Sequence, residues 1–215
     1  MAEESPRRYL RTREQRWPRA LATALGNAGF RPNGVSVLSI FFAAVAGIAL
    51  WRFGVVGGSW VLLVTAAVAI QLRLLCNMLD GLLAVEGGFK SKLGDLYNEI
   101  PDRVADIAIL IGAGYAVVTM PFGFTLGWSA ALLAVLTAYV RLLAGSLGAR
   151  QRFSGPMAKQ HRMFVMTLGC LVGAVEYSMV GSTRAVWLAL VVIVAGSLVT
   201  LVRRLSMLAS ELESR

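Results

Sequence analysis

The chain has 215 residues, 57% of them hydrophobic and 15% charged, with a mean hydropathy of +0.67 and a formal net charge of +9. That composition excludes an ordinary soluble domain and reads as an integral membrane protein. The positive charge needs no nucleic-acid partner: basic helix ends facing anionic headgroups account for it, and no interleaved aromatic and basic pattern argues otherwise.

In chain order, residues 1–33 come first, as a cytoplasmic segment. Arg7, Arg8, Arg11, Arg13, Arg16, Arg19 and Arg31 fall within it, so it lacks the short apolar core of a cleaved signal peptide and is read as mature protein. From Trp17 to Ala28, the spacing places Trp17, Leu21, Ala24, Leu25 and Ala28 on one helical face, with Arg16 and Arg19 towards the other. This is expected to be an amphipathic helix lying along the membrane surface.

Six apolar stretches follow, at approximately 34–53, 59–85, 94–119, 126–149, 158–180 and 184–208. Each supplies the roughly 20 residues that a hydrocarbon core about 30 Å thick requires, and lipid offers backbone polar groups no partner outside a helix. The expected fold is therefore all-α and integral to the membrane: six transmembrane helices over 34–208, behind an N-terminal interfacial helix and before a cytoplasmic tail at 209–215. Lys90, Lys92, Arg150, Arg152, Lys159 and Arg162 fall in alternate loops or at helix ends beside them, whereas the loops near 54–58 and 120–125 hold no basic residue. Arg52 and Arg184 stand alone at the poorer side. The positive-inside tendency then makes both termini cytoplasmic, in a bacterial-type inner membrane. Cys76 and Cys170 lie within spans and lack metal-type spacing. Gly169 and Gly173 form a small-xxx-small pair that is either a packing face or a chance match.

Between Cys76 and Asp106 the pattern changes, because Asp80, Glu86, Asp95, Glu99, Asp102 and Asp106 are half of the 12 acids in the chain. The short polar loop at 86–93 makes spans two and three an antiparallel helical hairpin, on which Asn77, Asp80, Asn98 and Asp102 lie at similar depth. Asn77, Asp80, Gly81 and Ala84 share one helical face, as do Asp95, Asn98, Asp102 and Asp106 on the next span. Carboxylates inside a membrane need compensation. Either Arg73 and Arg103 neutralise them structurally, or a divalent cation does, for which hard Asp and Asn oxygens suit magnesium, manganese or calcium, with phosphate completing the shell.

The stretch Asn77-x2-Asp80-Gly81-x2-Ala84-Val85-x8-Gly94-x3-Asn98-x3-Asp102 resembles the signature of the CDP-alcohol phosphatidyltransferases, D-x2-D-G-x2-A-R-x8-G-x3-D-x3-D. Every spacing is kept, and two of the three departures exchange Asp for Asn. Pro32-Asn33-x2-Ser36 is similar to the proline-asparagine start of the family's first span. The resemblance implies a six-helix enzyme of phospholipid synthesis that transfers a phosphatidyl group from CDP-diacylglycerol, or a related CDP-alcohol, to the hydroxyl of a small polar or lipid acceptor, with release of CMP. It also implies a homodimer and a divalent metal cofactor, Mg2+ first and Mn2+ second. Carried over by position, Asn77, Asp80, Asn98 and Asp102 are metal ligands, and Asp102 is also the general base. Asn33, Ser36, Gly81, Ala84 and Gly94 border the nucleotide. Asp95, one turn before Asn98, is a compensating acid for the missing charges. Val85 stands where the family has arginine, and Lys90 or Lys92 is a candidate substitute.

On the acceptor side, Arg103, Arg141, Lys159 and Arg162 are the candidate residues. Arg141 lies about two turns inside span four, where an unpaired arginine is expensive. With Lys159 and Arg162 it suits a phosphate, so the leading acceptor is a phosphorylated polyol, ahead of serine, free inositol or another phospholipid. Two other functions stay open: a relative that binds CDP-lipid without normal turnover, favoured by the two amides and Val85, and an ion-coupled transporter, opposed by the lack of a visible inverted repeat.

Overall fold

Local signals at the helix ends set the elements. The computed structural model describes residues 16–86, 94–153 and 155–215, and its regular structure is entirely helical. α1 (Arg16–Asn27) closes in a Schellman motif: Gly29, at φ 86°, lets Gly29 N–H donate to Gly26 O and Phe30 N–H to Leu25 O, each at 3.0 Å. α2 (Pro32–Val55) starts with Pro32, whose ring presets the helical φ and whose missing N–H would have had no partner. α3 (Trp60–Glu86), α4 (Gly94–Ala116), α5 (Gly123–Ser146), α6 (Lys159–Val180) and α7 (Arg184–Glu213) follow. Thus α4 ends three residues earlier than expected, α5 is shifted three residues towards the N-terminus, and α7 runs on to Glu213.

Five helices, α2, α3, α5, α6 and α7, are long and apolar enough to cross a membrane. α4 has 23 residues but carries Asp95, Glu99, Asp102, Arg103 and Asp106, which sets it apart by charge rather than by length. Phe41, Ile48, Phe164, Leu168, Val175, Val192, Val199 and Val202 are all exposed. So wide an apolar exterior is a lipid-facing one, and the chain is an integral membrane protein.

The helices close a ring in the order α2, α3, α6, α7, α5, α4, with α4 returning to α2; α1 packs against α3. The expected hairpin is open: α3 and α4 each pack along α2 rather than along one another. Glycine explains the choice of partner. A Cβ on Gly47 would lie 2.6 Å from Ala108 O, and one on Gly112 would lie 2.5 Å from Gly47 O, so only glycine lets the α2 and α4 backbones approach this closely. Gly169 and Gly173 likewise form a packing face, meeting Ala189 and Val186 of α7. On α1, Pro18 and Ala22 are buried while Trp17 and Leu21 stay exposed.

Candidate functional site

Antiparallel neighbours bring the N-terminal turns of α2, α4 and α6 to the same end of the ring as the C-terminal parts of α3, α5 and α7. Almost every buried polar side chain lies there. From α3, Asn77 Nδ2 donates to Asp102 Oδ1 of α4 at 2.9 Å. Asp80, also on α3, accepts from Ser36 Oγ of α2 at 2.6 Å and lies within electrostatic range of Asp102 and Lys159. The Lys159 ammonium, at the start of α6, sits against Asp102 Oδ1. The sequence-predicted residues Ser36, Asn77, Asp80, Asp102 and Lys159 therefore converge from four helices.

One turn deeper on α4, Asp106 is gripped from both sides. Arg73 Nη2 donates to its Oδ1 at 2.7 Å, and Arg162 Nη2 to its Oδ2 at 3.0 Å. Arg73 also reaches Asp102 O at 3.2 Å, and Arg162 reaches Thr137 Oγ1 at 3.3 Å and Met157 O at 3.0 Å. These are 0%, 1% and 2% exposed for Arg73, Asp106 and Arg162, a depth at which ions persist only when paired. Arg204 of α7 joins them by donating to Thr137 O at 2.7 Å. Three carboxylates (Asp80, Asp102, Asp106) thus face three cations (Arg73, Lys159, Arg162). Arg73 Nε and Nη1 and Arg162 Nε are buried without a hydrogen-bond partner.

A second group lies further out. Glu99, on α4, pairs with Arg103 one turn along the same helix and with Arg141 of α5. Arg141 also donates to Gln151 Oε1 at 3.0 Å, and its guanidinium carbon lies 4.9 Å from the Phe153 ring centroid. The four acceptor candidates are therefore divided: Lys159 is on Asp102, Arg162 on Asp106, and Arg103 with Arg141 on Glu99. An open cavity of about 610 Å3, lined by Arg150, Arg152, Ser206, Ser210, Glu211 and Ser214, lies at the end of α7, apart from Asp102.

Asn33 is half-buried beside Pro32, and Gly81, Ala84 and Gly94 are half-buried on α3 and α4. Asp95 and Asn98 lie on α4, but their side chains, like that of Val85 and the whole of Lys90 and Lys92, lie outside the described residues. Among the described residues no three His, Cys, Asp or Glu side chains form a metal-type group. The donor set nevertheless fits a hard divalent cation: two carboxylates, Asp80 and Asp102, with the Asn77 amide against Asp102, and ligand oxygens needed to complete the shell. Asp106, Glu99, Thr137 and Arg204 are not among the sequence-predicted site residues, and Arg73 is expected there only as a neutraliser. Arg73 does carry a signal, lying four residues before Asn77 and seven before Asp80 on one face of α3.

No family model matches the chain. Over 121 residues it is 28% identical to the inner membrane protein YnbA of Escherichia coli (strain K12), a match covering 54% of this chain and 56% of YnbA. The chain thus spans little over half of that relative. It is 27% identical over 195 residues to phosphatidylinositol phosphate synthase of Mycobacteroides abscessus, covering 86% of this chain and 80% of that protein. Among solved structures, the phosphatidylinositol phosphate synthase PgsA1 of Mycobacterium tuberculosis with CDP-DAG bound superposes with a TM-score of 0.76 at 21% identity, over 90% of this chain and 94% of that one. The fold is that of phosphatidylinositol phosphate synthase. The same synthase in complex with manganese and citrate gives a TM-score of 0.75 at 21% identity, over 89% and 88%. The resemblance to the CDP-alcohol phosphatidyltransferases is borne out at the level of the family: the relatives by sequence and by structure include phosphatidylinositol phosphate synthases, which are CDP-alcohol phosphatidyltransferases.

Proposed function

We propose that the chain is a membrane-embedded CDP-alcohol phosphatidyltransferase that moves a phosphatidyl group from CDP-diacylglycerol, or a related CDP-alcohol, to an acceptor hydroxyl and releases CMP. The observation that carries this reading is the meeting of Asn77 and Asp80 on α3 with Asp102 on α4, at the spacing of the family signature and within the synthase fold. α4 is the sixth span, its charged face turned into the ring, and α1 lies along the membrane surface on its exposed Trp17 and Leu21 side. Both termini and the site face the cytoplasm, on the basic side of the membrane.

In this reading Asn77, Asp80, Asn98 and Asp102 would hold a divalent cation, Mg2+ or Mn2+. When bound, the cation neutralises the diphosphate and stabilises departing CMP. Ser36 fixes the Asp80 carboxylate through its hydroxyl, and Asn33, Gly81, Ala84 and Gly94 border the nucleotide. Asp102 accepts the acceptor's hydroxyl proton as the acceptor oxygen bonds to the phosphatidyl phosphorus. The phosphorus–oxygen bond to CMP breaks, and CMP leaves with the electron pair. Lys159, now on Asp102, is within reach of the same charges and would turn to the diphosphate when substrate binds.

A second reading rests on the ion pairs already closed within the site: with Asp102 on Lys159 and Asp106 on Arg73 and Arg162, the site could bind CDP-lipid and turn it over poorly. Incubating purified protein with labelled CDP-diacylglycerol and a panel of acceptors separates the two. New lipid of the expected mass, with one CMP per product, supports the transferase; tight CDP-lipid binding without product supports the binder.

A further inference from the structure

Every cation that sequence reasoning offered to the acceptor is engaged by a carboxylate of the chain. For Lys159 and Arg162 the partners, Asp102 and Asp106, belong to the acidic network. For Arg103 and Arg141 the partner is Glu99, which has no place in the family signature and lies three residues before Asp102 on α4. Two arginines arriving from different helices onto one carboxylate make the arrangement that would hold a phosphate: planar donor forks around a group with a negative charge and paired oxygens. Gln151 and the Phe153 ring fix Arg141 in that pose. Unlike Asp106, the Glu99 side chain is 25% exposed, so a small molecule entering from the polar end of the ring can reach it.

Resting on the transferase reading, we propose that Glu99 is a built-in anion occupying the arginine site, and that it sets the acceptor class: the chain takes an uncharged polyol and discriminates against the corresponding phosphomonoester. A phosphomonoester would have to displace the Glu99 carboxylate from Arg103 and Arg141 and then lie beside it, charge against like charge. A neutral polyol keeps both ion pairs and hydrogen-bonds to the outer oxygens of Glu99 and to Gln151. Glu99 forms and breaks no covalent bond in the transfer; it is a specificity-determining residue. The inference separates this chain from a synthase whose product carries a second phosphate.

The test compares wild type with Glu99→Gln, which keeps the side-chain size and removes the charge. Purified full-length protein receives CDP-diacylglycerol and Mg2+ with inositol or inositol phosphate, and with glycerol or glycerol phosphate, and product lipids are read by mass. In wild type, kcat/KM is expected to favour the uncharged member of each pair. In Glu99→Gln the ratio should move towards the phosphomonoester by about 10- to 100-fold, the factor that one charge-assisted hydrogen bond represents, and chiefly through KM. Active wild type that prefers a phosphomonoester, or a ratio unchanged in Glu99→Gln, overturns the inference while leaving the transferase standing. Absence of transfer to all four acceptors in both proteins overturns the transferase reading and this inference with it.

Discussion

The Asp106 and Glu99 clusters are built from the same parts, one carboxylate between two arginines, yet they sit in opposite surroundings. Arg73, Asp106 and Arg162 are sealed between α3, α4 and α6, whereas the side chains of Arg103, Glu99 and Arg141 are 20%, 25% and 10% exposed at the polar end of the ring. The chemistry is shared and the dielectric is not. In the sealed cluster each charge depends on its partners, because nothing else is there to solvate it. In the outer one, water can stand in for a lost partner at little cost. Burial thus suits one cluster to holding three helices together and, in the proposed function, leaves the other open to a substrate.

The comparison breaks most easily at Asp106. Asp106→Ala strands two buried guanidinium groups, and the loss of stability should be about 3 to 5 kcal/mol, seen as a lowered unfolding midpoint in detergent or as failure to accumulate folded protein. A midpoint near that of wild type would mean that the sealed cluster is not structural. A smaller effect is expected at the carboxylate site, where two amides, Asn77 and Asn98, stand among the proposed metal ligands. Asn77→Asp with Asn98→Asp should lower the metal concentration needed for half-maximal CMP release by about tenfold, corresponding to roughly 1.4 kcal/mol of binding. An unchanged metal titration would show that these amides do not weaken the site. Smallest of all should be the structural effect of Glu99→Ala, less than about 1 kcal/mol in the same unfolding experiment, because the outer arginines can be solvated. Equal losses for Glu99→Ala and Asp106→Ala would erase the distinction between the clusters.

Much of the fold could be read from the residues because the membrane restricts the choices. Apolar runs of about 20 residues could only be helices, and the stripe Asn77, Asp80, Gly81, Ala84 has only one helical face to share. Partner choice was hidden. A short loop between α3 and α4 suggests that they pack together, but the contact that decides is Gly47 against Ala108 and Gly112, which places α2 between them and depends on backbone shape rather than hydropathy. The same gap concealed which cations serve which acids. Arg162 looked like an acceptor ligand from its place at the start of α6, and only the ring order puts it against Asp106. Arg103 could be matched to Glu99 by its i+4 spacing, but Arg141, 42 residues away, could not.

The most direct measurement of the central claim is acceptor-dependent CMP release from CDP-diacylglycerol in Mg2+, taken side by side for wild type and Asp102→Asn of equal folded content. Wild type should release CMP only when both metal and acceptor are present, and Asp102→Asn should be slower by about 10²- to 10⁴-fold, the range expected for a lost general base. Equal rates for the two proteins, or release that ignores metal and acceptor, would contradict the assignment of phosphatidyl transfer to this end of the ring.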